Sequence, residues 1–216
     1  MMNKGTVSVG AKWEEVKDAI FVGVANSERN QINFDEGKIL HYDWEGLSFF
    51  CMLRQERGNE TRFVHINQLM MKTWGCTFHM ILEQGIRNME DESEIIGIDQ
   101  LILQLLGEGA LDGVENLGEP IFPMYVFTNK MRVLGAAGAF FGNKVKELAK
   151  KLESNLFILP SSIHEAILIP DTGKMSVEEF SEMVKEINQD QVPEEERLAD
   201  DIYYYNRALG IFDRVS

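Results

Sequence analysis

The chain is expected to fold as an α+β protein, with an antiparallel or mixed sheet and helices packed mainly on one face. Short runs of β-branched and aromatic residues bounded by turn residues, such as 47–53, 124–128 and 156–159, read as strands. Between them, apolar residues recur at helical spacing behind a capping residue. The best cases are Phe78, Ile81, Leu82 and Ile86 after Thr77, and Val177, Phe180, Met183, Val184 and Ile187 after Ser176. With 216 residues, 44% of them hydrophobic, the chain can form one domain or two small halves sharing a core.

Trp13, Val16, Ala19 and Ile20 predict a helix early in 11–27, and Phe21-Val22-Gly23-Val24 either extends it or starts a strand. Residues 30–54 read as β-structure. Ile32 and Phe34 alternate, Asp35-Glu36-Gly37 is a turn signal, and 39–44 is strand-like. Glu45-Gly46 then turns the chain into 47–53, a run apolar enough to be buried on both faces. Arg57-Gly58-Asn59-Glu60 is a second turn, followed by a strand at 62–66. Asn67 is placed to cap a helix that runs through Trp74 and stops at Gly75. After the Thr77 helix and an acidic run at 89–94, Ile95-Ile96-Gly97-Ile98 suits a short strand. Leu101, Ile102, Leu105 and Leu106 suit a helix face. Residues 107–123 hold four glycines and two prolines and read as a connection.

The strand at 124–128 leads to Asn129, read as the cap of a helix through Leu134, with the small residues at 135–139 continuing toward Phe140. Asn143 caps the next helix, with Val145, Leu148, Ala149 and Leu152 inward. Two apolar strands flank the polar knot Ser161-Ser162-Ile163-His164-Glu165. Ser176-Val177-Glu178-Glu179 is a capping box, and Tyr203-Tyr204-Tyr205 with Ile211-Phe212 close the chain as a hairpin. Residues 63–69 resemble 125–131 at an offset of 62 residues, which suggests two related β-α-α units. The resulting division is an N-terminal α+β half at 1–106, a Gly/Pro-rich connection at 107–123 and a C-terminal α+β half at 124–216, unless all three form one compact domain.

The formal net charge is −14, concentrated in two stretches. Residues 88–129 hold nine acids and no Lys or Arg, and residues 176–201 hold ten acids against Lys185 and Arg197. Direct nucleic-acid binding is disfavoured, because neutralising phosphates needs clustered cations. An acidic surface either keeps the protein soluble or meets a basic partner. Cys51 and Cys76 lie in apolar contexts without zinc or redox spacing, and read as reduced core thiols. No stretch approaches about 20 apolar residues, and no apolar run follows Met1-Met2-Asn3-Lys4-Gly5, so a cytoplasmic protein with no membrane association is expected.

Several segments together resemble a family: 125–130, the 158–169 run through the polar knot, Asp200-Asp201-Ile202-Tyr203-Tyr204-Tyr205, Ile66-Asn67-Gln68-Leu69 and Trp74-Gly75-Cys76-Thr77. They are similar to DUF5688, a bacterial family of unknown function found mostly in Clostridia, with a distant likeness to DUF1444-type proteins. The resemblance covers about 63–212 and is sharpest at 160–165. It implies a bacterial cytoplasmic origin and brings no activity, substrate or cofactor.

The knot holds the densest set of reactive groups. In an extended strand Ser162 and His164 point the same way and Glu165 the other, so Ser162, His164 and Glu165 are the catalytic candidates. Neither an orienting acid, an oxyanion hole nor a Gly-x-Ser-x-Gly elbow is visible. The competing reading is a hairpin pinned by side-chain bonds to turn backbone. Ser161, Asn129 and Asn67 are candidate binding residues. His41, His65, His79 and His164 lack metal-ligand spacing, and no phosphate loop is present, so no metal or cofactor is expected. The leading function is a non-catalytic binding or regulatory module acting on protein partners, for which a basic partner is the charge-complementary choice. The alternatives are a small hydrolase or transferase centred on Ser162, His164 and Glu165, and an acidic inhibitor from a phage or mobile element that mimics nucleic acid.

Overall fold

The computed structural model describes residues 11–58, 60–101, 123–160 and 162–216. The chain divides into two compact units, Met1–Glu92 and Ser93–Ser216. Among the described residues no helix is long and apolar enough to cross a membrane.

The first unit begins with α1 (Trp13–Val16), a 3-10 turn at Lys17–Ala19 and β1 (Ile20–Asn26). Then follow α2 (Ser27–Gly37), β2 (His41–Trp44), β3 (Leu47–Arg57), β4 (Glu60–His65), α3 (Gln68–Trp74) and α4 (Phe78–Glu92). Strand β3 is the spine. Antiparallel β1 pairs along one side of it, and β2 and β4 pair in tandem along the other, opposite 47–50 and 52–57. Glu45 and Gly46 both take positive φ, 48° and 84°, the geometry of a tight two-residue hairpin turn. Residues 47–53 are all buried, as their composition predicts.

Helix α2 replaces the β-structure expected from residue 30 and the turn expected at 35–37. The Asn26 side chain accepts from the Arg29 N–H and starts the helix, and Lys38 in the left-handed region ends it. Phe34 is buried, stacked on His41 at 4.4 Å and packed on Phe50 at 5.6 Å. The alternation of Ile32 and Phe34 is too short a pattern to outweigh a cap. Residues paired across an antiparallel ladder share a face. Ile20, Val22 and Val24 therefore line one face, against α4, where a Cβ on Gly85 would stand 2.7 Å from a Val22 methyl. Phe50 lines the other face, against α2. Asn88 of α4 donates to the carbonyls of Lys17 and Ile20, and Arg54 holds Glu92 through two bonds of 2.6 and 2.7 Å.

The second unit comprises β5 (Ser93–Gly97), β6 (Tyr125–Asn129), α5 (Gly138–Phe141), α6 (Asn143–Leu152), β7 (Leu156–Leu159), β8 (Ala166–Pro170), α7 (Val177–Gln191), β9 (Tyr203–Asn206) and β10 (Ile211–Arg214). Its six strands run in the order β10-β9-β7-β8-β6-β5, and every neighbouring pair is antiparallel. Because β5 pairs with β6, residues 93–97 belong to the second unit, not to a first half ending at 106. Of the connection read at 107–123, all but Pro123 lies outside the described residues.

The α+β class is the one expected, and both sheets are antiparallel. The helices lie on both sheet faces instead of mainly one. In the second unit Phe180 and Val184 of α7 pack with Phe157 and Ile169. On the opposite face Phe140 of α5 meets Tyr203 edge-on at 5.2 Å, and Gly138 abuts Phe127. The reason lies in the strands. All four residues of β7 are buried, so each face needs a cover. No helix runs from Asn129 to Leu134, because Arg132 and Leu134 take positive φ, 54° and 55°, which no helix admits. Asn143 is the first helical residue of α6, with Gly142 as its cap, a shift of one position.

Candidate functional site

The polar knot between β7 and β8 is held from two directions. On one side, the end of β6 and the loop after it donate into it. The Leu134 N–H donates to His164 Nδ1 at 3.0 Å, the Gly135 N–H and the Thr128 hydroxyl each donate to the His164 carbonyl at 3.0 Å, and the Ala136 N–H donates to the Ile163 carbonyl. On the other side, the Ile163 N–H donates to the Glu196 carbonyl at 2.8 Å, and Ser162 forms a β-bridge with Arg197. The Glu196 carboxylate lies 3.5 Å from His164 Nε2.

Glu196 is thus the acid beside the imidazole that local sequence does not reveal. It sits in the run Glu194-Glu195-Glu196, which reads only as charge, and no short spacing ties it to His164. Ser162 is buried, and its Oγ accepts from the backbone N–H of His164 at 2.9 Å. Each ring nitrogen of His164 has another neighbour, Leu134 at Nδ1 and Glu196 at Nε2, so the ring is not hydrogen-bonded to Ser162. An imidazole that accepts at Nδ1 carries its proton on Nε2 when neutral, toward Glu196. The arrangement orients a histidine strongly but aims it at an acid and a loop instead of at a nucleophile. Glu165 is half-buried and makes no ion pair with a described residue.

The other candidates are dispersed. Asn129 is buried and closes the loop locally: its side chain donates to the Val133 carbonyl at 2.7 Å and accepts from the Val133 N–H. Its amide groups are therefore spent on shaping the segment that reaches His164. Asn67 belongs to the first unit and caps α3, accepting from the N–H groups of Leu69 and Met70. Ser161 lies outside the described residues. Among the described residues no three His, Cys, Asp or Glu side chains converge as a metal site would require. Both cysteines are free. Cys51 is buried, and that burial pushes its thiol up to about 12, while Cys76 is half-buried.

A second feature of this unit escapes the sequence reading. A groove of about 660 Å³ lies between the end of the β5–β6 ladder and α6. Lys144, Glu147, Leu148 and Lys151 line it, a spacing that marks one face of a helix. That spacing was the available signal. It is missed because charged residues at helical intervals usually mark a solvated face.

The family of unknown function DUF5688 matches residues 2–207. The chain belongs to this family. The match takes in β1 to β9 and thus both units, including the N-terminal part below residue 63 that the short motifs do not reach. No curated protein and no solved structure matches the chain. Within this DUF5688 chain, residues 162–164 are where the end of β6, the loop after it and the 193–199 turn meet.

Proposed function

We propose that this DUF5688 protein is a non-catalytic binding module of the bacterial cytoplasm, and that its partner is a basic protein segment. One observation carries the reading. The outer side of α7 presents Glu178, Glu182 and Glu186, all exposed and four residues apart, and none is ion-paired with a described residue. Side chains four apart share a helix face. The stripe is backed by Phe180 and Val184 in the core, so it stands on a rigid element. Opposed charge of this kind speeds encounter and selects partners by sign. The polar knot supports the non-catalytic part of the reading, since its imidazole and hydroxyl both serve the backbone. Two free thiols fit a reducing compartment.

The test is fluorescence anisotropy with a labelled Arg- and Lys-rich peptide. Binding is expected at low salt, with weakening as salt rises. Replacing Glu178, Glu182 and Glu186 together by Lys should abolish it, while replacing Glu14, Glu28 and Glu36 by Lys should leave it. Equal loss from both triple variants would overturn the reading, because it would mark non-specific attraction to an acidic protein. Ser162→Ala should bind as the unaltered chain does.

A further inference from the structure

We propose that the groove between the β5–β6 end and α6 binds a short peptide of two or three residues through its free ammonium and free carboxylate. The proposal is independent of the α7 stripe. The groove carries charges of both signs. Lys144 and Lys151 lie on α6, seven residues apart, and Glu147 lies between them. Asp99 follows β5 and lines the same groove. None of these four side chains is ion-paired with a described residue. They stand as separate charges of both signs around one cavity.

The position of Asp99 is built in. A Cβ on Gly97 would stand 2.5 Å from Asp99 Oδ1, so the carboxylate occupies the space that any side chain at 97 would take. The ladder is closed behind it by the Ile98 N–H donating to the Met124 carbonyl at 3.0 Å, which holds the strand end in place. Gly97 pairs with Tyr125, whose neighbours on the same sheet face include Ile95 and Phe127. The carboxylate is thereby directed over the sheet face that carries α5.

Size and reach agree with a short peptide. The volume of about 660 Å³ falls in the range of small-molecule sites, roughly 300–1,000 Å³. Seven residues of helix separate the two lysines by about 10 Å, and three extended residues span about 10 Å. A peptide lying along α6 places its carboxylate at a lysine while its ammonium meets Asp99 or Glu147. The apolar surface between the charges, which includes Ile95 and Leu148, suits an apolar side chain. A purely anionic ligand would leave the two carboxylates facing it uncompensated.

The test is a titration of the isotope-labelled full chain with the tripeptide Ala-Leu-Ala, followed by NMR. Saturable shifts are expected at Gly97, Ile98 and Leu148. Acetylating the peptide amine or amidating its carboxylate should each weaken binding at least about tenfold, the scale of one charge-assisted hydrogen bond. In the double variant Lys144→Met with Lys151→Met, the free acid and the amide should bind alike. In Asp99→Asn with Glu147→Gln, the free amine and its acetyl form should bind alike. Native-like spectra of both variants confirm that they fold, and the blocked peptides test the unaltered chain directly. Absence of saturable shifts at millimolar peptide would overturn the proposal. So would equal binding of the doubly blocked peptide, or sensitivity to the carboxylate alone, which would mark a simple anion site.

Discussion

The backbone N–H of Leu134 donates to Nδ1 of His164 at 3.0 Å across 30 residues of sequence. Leu134 holds a positive φ of 55°, which a non-glycine residue adopts only when its surroundings impose it. The histidine ring therefore serves as the acceptor that pins a strained loop. Replacing His164 by Ala leaves that N–H without its partner, and the unfolding free energy should fall by about 1–3 kcal/mol. His164→Asn offers a carbonyl oxygen near the Nδ1 position and should recover part of the loss. Urea unfolding of the three proteins measures both. An unchanged midpoint for His164→Ala would return the ring to the list of free functional groups.

Gly135 sits at the closest approach of that loop to the knot. A Cβ there would stand 2.8 Å from the Asn129 nitrogen, 2.8 Å from the His164 carbonyl oxygen and 3.0 Å from the Thr128 carbonyl carbon. All three are backbone atoms, which cannot swing aside as a side chain can. Gly135→Ala should cost about 1–3 kcal/mol, the range for overpacking. Gly23→Ala meets the ring of Phe50 and the end of Met52, which are side-chain atoms. Thermal melts of the two variants should show the larger drop for Gly135→Ala.

The two thiols should separate by reactivity. Cys51 is buried on β3 and its pKa is pushed up to about 12, so almost none of it is thiolate at neutral pH. Cys76 is half-buried, and desolvation raises its pKa too, with Glu14 adding to the effect. A thiol-reactive probe should label Cys76 slowly in the native protein and Cys51 only after unfolding. Cys76→Ser should therefore abolish native labelling. Rapid labelling of both sites in buffer would contradict the packing of β3.

Tyr204 supplies the pH dependence. Burial, together with its hydrogen bond to Asp171 at 2.6 Å, raises the phenol from 10.0 to about 12. Between those values the unfolded chain has released this proton while the folded chain retains it. The folded state then binds more protons, so the contribution is intact below pH 10 and is lost as pH rises toward 12. The phenolate absorbance titration of Tyr204→Phe should lack a late component, near pH 12, that the unaltered chain shows. Identical late titration of the two proteins would refute the Tyr204–Asp171 pairing.

Legibility in the sequence followed the range of the interaction. The Glu45-Gly46 turn, the Asn67 cap with its Gly75 stop, and the Ser176 capping box are all decided within four residues or so, and each is found where its residues predict. At 30–37 and 129–134 the local pattern misleads. Asn26 starts α2 from upstream of residue 30, and Asn129, which local sequence marks as a helix cap, closes a loop instead. The placement of 93–97 depends on β6, which lies beyond a long connection.

Composition, periodicity and caps determined the α+β class, the buried β3 and most strand and helix positions, because burial of apolar faces and local backbone bonding are properties of neighbouring residues. The polar knot was visible as the densest set of reactive groups for the same reason. What those groups do was decided only by tertiary structure. The loop that uses His164, the acid that faces it and the cavity beside α6 are assembled from segments far apart in the chain. A hydrogen bond or a cavity wall depends on distance in space, which residue order does not specify.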